Sequence, residues 1–244
     1  MGSIRLLTIT KEKKMLSDAL LHDIAKTVAW ALNEDLGQDL ANTTKAQASE
    51  LDITAALIPA SNKAVATIIN RDDCIVCGVA WVNEVFKQLD SALGHNDKNS
   101  ENQTKVTWFV NDGQMAKANT ILCEISGNAR ALLTGERVAL NFLQTLSATA
   151  TLTSHYVKEL AGSKTQLLDT RKTVPGLRSA QKYAVTCGGG KNHRVGLFDA
   201  FLIKENHIAA CGGIAQAIAT AKINHTEITV EVEVESLDEL SQAI

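Results

Sequence analysis

The sequence predicts an α/β protein made of two differently organised parts. Up to about residue 128, helix-like and strand-like segments follow each other without a strict repeat, as in α+β domains. After Gly127, strand-like and helix-like segments alternate, which indicates parallel strands with helices outside them. We therefore expect one domain at 1–128 and a second, parallel β/α domain at 129–244.

The composition is that of an ordinary globular protein. Of the 244 residues, 45% are hydrophobic and 21% are charged, which is enough apolar material for a core. No apolar run approaches the ~18 residues that span a membrane. The first residues, MGSIRLLTITKEKK, carry charge but no apolar centre, so we expect no signal peptide and a cytoplasmic location. An odd number of cysteines, five, favours reduced thiols.

The first part predicts two helices, three strands and two polar loops. An amphipathic helix is indicated at 16–36, where Leu and other apolar residues recur every four positions. The remaining segments are a helix at 78–89, strands at 64–70, 105–110 and 120–125, and surface loops at 39–52 and 95–103. Cys74 and Cys77 have the spacing of a metal or redox pair. We favour a buried structural role, because no second pair accompanies them.

The second part predicts a long helical stretch followed by alternating strands and helices. The helical stretch covers 129–160 and is expected to be interrupted near Ser147. Strands are indicated at 166–169, 199–204 and 227–234, with helices at 179–186 and 213–223 between them. A capping box at Ser236 opens a further helix. Only about a hundred residues follow the first domain, so a closed eight-stranded barrel of ~250 residues is not expected.

One predicted strand, EVEVE at 231–235, carries an unusual charge pattern. Alternation along a strand places the three carboxylates on one face and the two valines on the other. An exposed edge strand could have this pattern. In a parallel arrangement, however, the valines would pack on helices and the acids would point inward, where they need cations. We expect basic residues from the preceding segment to supply those partners.

Positive charge is concentrated in the segment 169–207. It holds seven of the 24 basic residues and three of the 27 acidic ones, so its net charge is +4 while the rest of the chain carries −7. A local positive region in an acidic protein favours a small anion over nucleic acid, which needs a broader basic face. The segment is therefore the candidate anion site.

Three clusters within this segment stand at strand ends or in a glycine-rich loop. Arg171 and Lys172 follow a predicted strand, and a guanidinium can bind a carboxylate or phosphate at two points. Gly188–Gly190 precede His193 and Arg194, and Lys204 closes a third strand. Taken singly, the Arg-Lys pair could be a surface feature, the glycines a flexible turn and the histidine a packed core residue. Their coincidence favours a functional site.

At this point the chain resembles the quinolinate phosphoribosyltransferase family. The resemblance runs from about Leu16 to the last residue and is strongest after Leu132. It is carried by these motifs in order: TGER at 134–137 with LNFLQTLS at 140–147, DTRKTVPGLR at 169–178, GGGKNHR at 188–194, LIKENH at 202–207 and EVEVE at 231–235.

The resemblance implies both a fold and an activity. The fold is an N-terminal α/β sandwich domain followed by an open, incomplete α/β barrel of the type II phosphoribosyltransferase kind, here shortened at its C-terminal end. The activity is transfer of phosphoribosyl from phosphoribosyl pyrophosphate to quinolinate with decarboxylation, which gives nicotinate mononucleotide, pyrophosphate and CO2 in NAD biosynthesis. The family uses Mg²⁺ and works as a homodimer.

The same resemblance assigns roles to single residues. Arg137 would reach into the neighbouring subunit's site, and Glu233 would be an acid near the ribose and the metal. The substrate anions would be bound by Thr170, Arg171, Lys172, His193, Arg194 and Lys204. The polar segment 38–51 is longer than in the family pattern, and a second metal-side acid and part of the phosphate loop would follow residue 244.

Three alternatives remain at the level of the sequence. The substrate could be nicotinate or another pyridine carboxylate, although two carboxylates better explain the number of cations. The chain could be a non-catalytic binding partner that keeps the dimer surface and the quinolinate site. It could also be a sugar-phosphate-binding barrel of unrelated chemistry. Calorimetry with quinolinate distinguishes the binding partner, which would bind it without turnover, and competition by a pyridine dicarboxylate for the site distinguishes the third alternative.

Overall fold

The computed structural model describes residues 16–95 and 102–244, and its α/β fold confirms the predicted fold class. The helices and strands of the first part are α1 (Asp18–Leu36), α2 (Lys45–Ala48), β1 (Lys63–Ile69), β2 (Cys74–Ile75), α3 (Val79–Leu93), β3 (Lys105–Trp108), β4 (Met115–Ala116) and β5 (Ile121–Asn128). Those of the second part are α4 (Ala129–Glu159), α5 (Arg178–Cys187), β6 (Phe201–Ile203), α6 (Glu205–Cys211), α7 (Ile214–Asn224), β7 (Val230–Val232) and α8 (Leu237–Ala243).

The first part is a three-stranded antiparallel sheet backed by helices. The strand order is β1-β5-β3, so the three predicted strands pair with one another. Helices α1, α3 and α4 pack together, and their apolar faces meet one face of the sheet in a single large core. Trp81, Leu32 and Leu146 are among the largest fully buried side chains there. Most of the predicted loop at 95–103 lies outside the described residues.

Two expectations for helical structure were wrong. The segment 39–52 is not a plain loop, because it forms a 3-10 turn at Leu40–Asn42 and the short helix α2. Helix α4 continues through Ser147 without interruption over 31 residues. The Ser147 hydroxyl accepts a hydrogen bond from the Cys77 N–H at 3.0 Å and donates to the Cys77 carbonyl at 3.2 Å. It is thus satisfied by a neighbouring segment and does not disturb its own helix.

The second part contains the predicted parallel strand pair. Strands β6 and β7 are parallel, with α6 and α7 between them along the chain. Ile203, Ala217 and Ala221 form a small separate core that Val230 and Val232 extend. The predicted strand at 166–169 is reduced to a single parallel bridge between Leu168 and Lys191. Helix α6, immediately after Lys204, was not predicted.

Asp112 joins α3 to α5 in the interior. Its carboxylate accepts hydrogen bonds from the N–H groups of Gly78 and Val79, at 2.9 and 3.1 Å, and thereby caps α3. It also accepts from the Tyr183 hydroxyl at 2.9 Å. Loss of hydration on burial raises the pKa of Asp112 above its usual value, although these hydrogen bonds act in the opposite direction.

This raised pKa predicts that the contribution of Asp112 to the free energy of unfolding falls as pH rises. The native state retains the Asp112 proton to higher pH than the unfolded chain, so its contribution is complete below the ordinary carboxyl pKa and is lost as pH rises through the native pKa. Asp112→Asn should remove this dependence and leave the free energy of unfolding at pH 7 within about 1 kcal/mol of the parent or above it. Asp112→Ala should lower it by about 2 kcal/mol, because donors lose their acceptor. Urea unfolding at pH 4 and 7 measures both, and an unchanged pH slope in the Asn variant would contradict the assignment.

Candidate active site

A short parallel contact brings the two cationic loops together. The Lys191 N–H donates to the Leu167 carbonyl at 2.8 Å, and the Asp169 N–H donates to the Lys191 carbonyl at 3.1 Å. Arg171 and Lys172 follow the Leu168 strand of this contact, and His193 and Arg194 follow the Lys191 strand. The two loops, distant in sequence, therefore begin next to each other. The structure therefore places two of the three predicted clusters side by side.

A buried ion pair lies at this junction. The Lys182 ammonium of α5 pairs with the Asp169 carboxylate, and the two side chains are 3% and 8% exposed. Lys182 also donates to the His193 carbonyl at 3.1 Å, while the His193 N–H donates to Asp169 Oδ1 at 2.9 Å. Sequence reasoning counted Lys182 only as one more basic residue. Its burial follows from the tertiary packing of α5, and no sequence pattern distinguished it from the other basic residues.

Arg171 and Arg194 each carry a buried Nε atom that finds no hydrogen-bond acceptor among the described residues. Arg194 uses one terminal nitrogen on the Ala200 carbonyl, at 3.3 Å. A buried donor without an acceptor is costly, so it needs an explanation such as a bound ligand. Planar guanidinium groups with free donors suit carboxylate or phosphate oxygens. Both arginines can therefore bind an anion through these donors.

The turn after Arg194 is held by Asp199. Its carboxylate accepts from the N–H groups of Val195 and Gly196, at 2.7 and 2.9 Å. Partial burial raises the pKa of Asp199, but these hydrogen bonds outweigh it and leave the pKa below its usual value. Arg178 donates to the Val195 carbonyl at 3.3 Å from the other side. The turn that carries Arg194 is thus fixed at both ends.

The prediction for the acidic strand is confirmed at two of its three carboxylates. Glu231 Oε2 lies 2.7 Å from His193 Nε2, and Glu233 Oε2 lies 2.9 Å from Lys204 Nζ. Val232, between them, packs in the small core. The Lys204 and Glu233 side chains are 40% and 54% exposed, so the pair contributes little to stability and an incoming ligand can replace it at low cost. Lys204, the third predicted cluster, is therefore connected to the same site by the acidic segment at the end of β7.

Thr170, Lys172 and Arg137 are exposed. The Thr170 hydroxyl accepts from the Lys172 N–H at 3.1 Å, which shapes the turn that presents the lysine. Arg137 lies on α4, and within residues 16–95 and 102–244 no hydrogen bond or ion pair joins it to the cluster around Asp169. One chain therefore assembles the predicted residues except Arg137.

The glycine run has a packing role. A Cβ atom on Gly188 would lie 2.3 Å from the Ala150 carbonyl oxygen and 2.6 Å from Thr153 Cβ, both on α4. A Cβ on Gly190 would lie 2.7 Å from Val185 Cγ1. The run therefore lets the loop before His193 press against α4, which is a closer reason for these glycines than swinging of the loop.

We predict that Gly188→Ala destabilises the protein by about 3 kcal/mol, because the methyl group meets backbone that cannot move aside. Gly162→Ala is the matched control. Gly162 has a φ of +85° and nothing within 4 Å of its added Cβ, so only backbone strain of about 1 kcal/mol is expected. Denaturant unfolding of both variants measures the difference. Equal losses would mean that the contact with α4 is unimportant.

Two family models match the chain consecutively. "Quinolinate phosphoribosyl transferase, N-terminal domain" matches residues 52–147, and "Quinolinate phosphoribosyl transferase, C-terminal domain" matches residues 149–244. Among the described residues, no helix has the length and hydrophobicity needed to cross a membrane.

Named relatives and solved structures agree with these matches. The nicotinate-nucleotide pyrophosphorylase [carboxylating] of Mycobacterium leprae is 36% identical over 226 residues, which cover 93% of this chain and 73% of the relative. The quinolinate phosphoribosyltransferase [decarboxylating] 2, mitochondrial, of Nicotiana glauca is 37% identical over 229 residues, which cover 91% of this chain and 58% of the relative. The nicotinate-nucleotide pyrophosphorylase of Francisella tularensis superposes with a TM-score of 0.77 and 46% identity, covering 91% of this chain and 71% of that structure. The chain thus spans less than two thirds of the length of several curated relatives.

Proposed function

Because the chain belongs to the quinolinate phosphoribosyltransferase family, we propose that the full protein transfers phosphoribosyl from phosphoribosyl pyrophosphate to quinolinate, with decarboxylation. The products are nicotinate mononucleotide, pyrophosphate and CO2. The observation that carries the proposal is the pair of buried arginine Nε atoms beside Lys172 and His193, for which the described residues offer no acceptor. Such a group of cations needs an anion with more than one acceptor, and quinolinate has two carboxylates.

The residues around the junction bind and orient quinolinate. Arg171 and Arg194 bind its carboxylates with their free donors, and Lys172 adds a positive charge from the exposed turn after Thr170. Glu231 Oε2 lies 2.7 Å from His193 Nε2 and fixes the orientation of the imidazole, which leaves the other ring nitrogen, Nδ1, for the substrate. Rigid placement of the pyridine ring aims its nitrogen at the sugar.

The reaction itself needs no covalent enzyme nucleophile. The ring nitrogen forms a bond to the anomeric carbon of the donor as the bond to the pyrophosphate oxygen breaks, and the electron pair leaves with pyrophosphate. The sugar carries positive character in between, which Glu233, immediately after β7, stabilises. The nitrogen is then quaternary and positive. It accepts the electrons of the carbon–carboxylate bond as CO2 departs, and the ring carbon takes up a proton.

Lys204 exchanges its partner during the proposed reaction. It is paired with Glu233 in the free protein, at 2.9 Å, in a half-exposed position. Binding of the anionic donor gives Lys204 a stronger partner, which frees Glu233 to face the ribose. The exchange costs little because an exposed pair contributes at most about 1 kcal/mol.

The residues present fit a Mg²⁺ ion that arrives with the donor. Among the described residues, no group of three or more His, Cys, Asp or Glu is placed to hold a metal by itself. Mg²⁺ is commonly held by one or two carboxylates together with substrate phosphates and water, and Glu233 can be such a carboxylate. When bound, the ion would offset negative charge on the pyrophosphate.

The proposal includes a homodimer in which Arg137 completes the neighbour's site. Its support is that Arg137 is exposed on α4 and is separate from the cluster in its own chain. The cytoplasmic location, and the expectation that the protein binds neither nucleic acid nor membranes, remain predictions from the sequence.

The test is a substrate comparison with the full-length protein. Quinolinate, phosphoribosyl pyrophosphate and Mg²⁺ should give nicotinate mononucleotide, pyrophosphate and CO2 in equal amounts. Nicotinate in place of quinolinate should give little product. Product from nicotinate without product from quinolinate would overturn the substrate assignment, and tight quinolinate binding without turnover would favour a non-catalytic role.

A further inference from the structure

We infer that Lys182 and Asp169 are positioning residues that set the distance between the two cationic loops of the anion site. This inference rests on the proposed function, to which it adds two residues that need not contact the substrate. Both side chains are buried, 3% and 8% exposed, and they pair directly beneath the point where the loops diverge. Asp169 immediately precedes one loop, whereas Lys182 belongs to helix α5.

The hydrogen bonds show how the pair connects the loops. Asp169 Oδ1 accepts from both Lys182 Nζ and the His193 N–H, while Lys182 Nζ also donates to the His193 carbonyl, at 3.1 Å. In the orientation of the Asn192 amide that satisfies both of its ends, its nitrogen donates to Asp169 Oδ2 at 2.7 Å. The peptide groups on both sides of His193 are therefore bound to the ion pair, one to Asp169 and the other to Lys182.

Helix α5 provides a fixed base for Lys182. The Ser179 hydroxyl donates to Asp23 of α1 at 2.6 Å, and the Tyr183 hydroxyl donates to Asp112 at 2.9 Å. These anchors lie three residues before and one residue after Lys182. The Lys182 ammonium group consequently has little freedom to move, and it fixes the position of the two loops that bind to it.

The energetics favour a geometric role over simple stabilisation. Removing water from two charges costs several kcal/mol each, and apolar residues of similar size often stabilise such a position as well or better. A buried ion pair can instead specify one arrangement among several. At this junction the arrangement decides how far Arg171 lies from Arg194, and hence which anion they can bind together.

The experiment compares three variants with the wild-type, full-length protein. Lys182→Met/Asp169→Asn removes both charges without leaving one unpaired. Asp169→Asn alone keeps an oxygen that can accept from Lys182 and His193. Tyr183→Phe, on the same helix, removes the anchor bond to Asp112 and serves as the control, because the ion pair and the Ser179 anchor remain. Quinolinate binding is measured by calorimetry, folding by thermal unfolding, and the environment of His193 by NMR of its ring, assigned with His193→Gln.

We expect the folded double variant to bind quinolinate at least 30-fold more weakly and to shift the His193 signal, with the other histidine signals unchanged. Asp169→Asn leaves the buried Lys182 charge unpaired and should lower the melting temperature, but below that temperature the folded variant should bind quinolinate within about fivefold of wild type. Tyr183→Phe should lower the melting temperature while changing affinity less than twofold. A merely structural pair would lower melting temperature without these selective changes.

Two results would overturn the inference. One is a folded double variant with wild-type affinity and an unchanged His193 signal. The other is an Asp169→Asn variant as impaired as the double variant, since its retained acceptor should preserve the geometry. If the wild-type protein does not bind quinolinate, the proposed substrate is wrong. The His193 signal still decides the positioning role in that case.

Discussion

Arg171→Met is expected to lower kcat/KM for quinolinate by about 10²- to 10³-fold while leaving the melting temperature close to that of the wild type. The guanidinium has a buried Nε without an acceptor among the described residues, so it gives up no internal hydrogen bond at that atom when it is removed. Loss of a charged partner from a desolvated carboxylate costs about 2–5 kcal/mol, and each 1.4 kcal/mol is a factor of ten. Steady-state kinetics with quinolinate varied at saturating donor measure the effect.

Lys191→Met is the matched control for Arg171→Met. It removes the same charge from the same segment, but the Lys191 side chain is exposed and its role in the junction is through its backbone. Its kcat/KM should stay within about threefold of the wild type, because exposed charges are largely screened. Equal losses in both variants would show that general positive charge, and not the geometry at Arg171, binds the substrate.

Two inactive variants should restore activity to each other when mixed. Arg137→Ala removes the residue proposed to enter the neighbour's site, and Lys172→Ala damages the site of its own chain. In a twofold-symmetric dimer, a mixed pair contains one site with both changes and one site with neither. Random exchange of equal amounts forms mixed dimers half of the time, so about a quarter of wild-type activity is expected.

The measurement is activity after unfolding and refolding the two variants together, compared with each refolded alone. Each variant alone should retain about 1% of activity or less, since it loses a charge from every site. A mixture of Arg137→Ala with Arg171→Met should behave in the same way. A mixture of Lys172→Ala with Arg171→Met should not recover activity. Both residues belong to the site of their own chain, so every site in a mixed dimer lacks one of them. Recovery in that last mixture, or none in the first two, would contradict a site shared between subunits.

Sequence periodicity predicted the regular elements well where one face of an element is buried. The helix at 16–36 and the strands near β1, β3 and β5 were confirmed because their apolar spacing is decided by a common core. The alternation at 231–235 likewise predicted the cationic partners of Glu231 and Glu233, although strand β7 ends at Val232. The predicted interruption at Ser147 was wrong because helix propensity takes no account of hydrogen bonds to other segments. The Ser147 hydroxyl accepts from the Cys77 N–H.

The interior of the site was less accessible to sequence reasoning. Whether a lysine such as Lys182 is buried depends on which helix face meets which loop, and that is a property of the tertiary fold. The glycines at 188–190 were correctly singled out, but their reason lies in the distance to Ala150, some forty residues away in sequence. Charge patterns thus indicated the candidate site, whereas the contacts that support it from within required coordinates.

The uninterrupted course of α4 has a consequence for exchanging parts between relatives. The two family matches meet at residue 148, in the middle of this helix, next to the Ser147 hydroxyl that bonds to Cys77 and close to the Ala150 and Thr153 surface against Gly188. A helix of 31 residues is about 46 Å long, and the N-terminal match covers 19 of its residues (129–147) while the C-terminal match covers 11 (149–159). A chimera joined at that point would combine two half-helices adapted to different neighbours. The natural junctions for recombination are therefore the ends of α4, and the helix should be inherited whole.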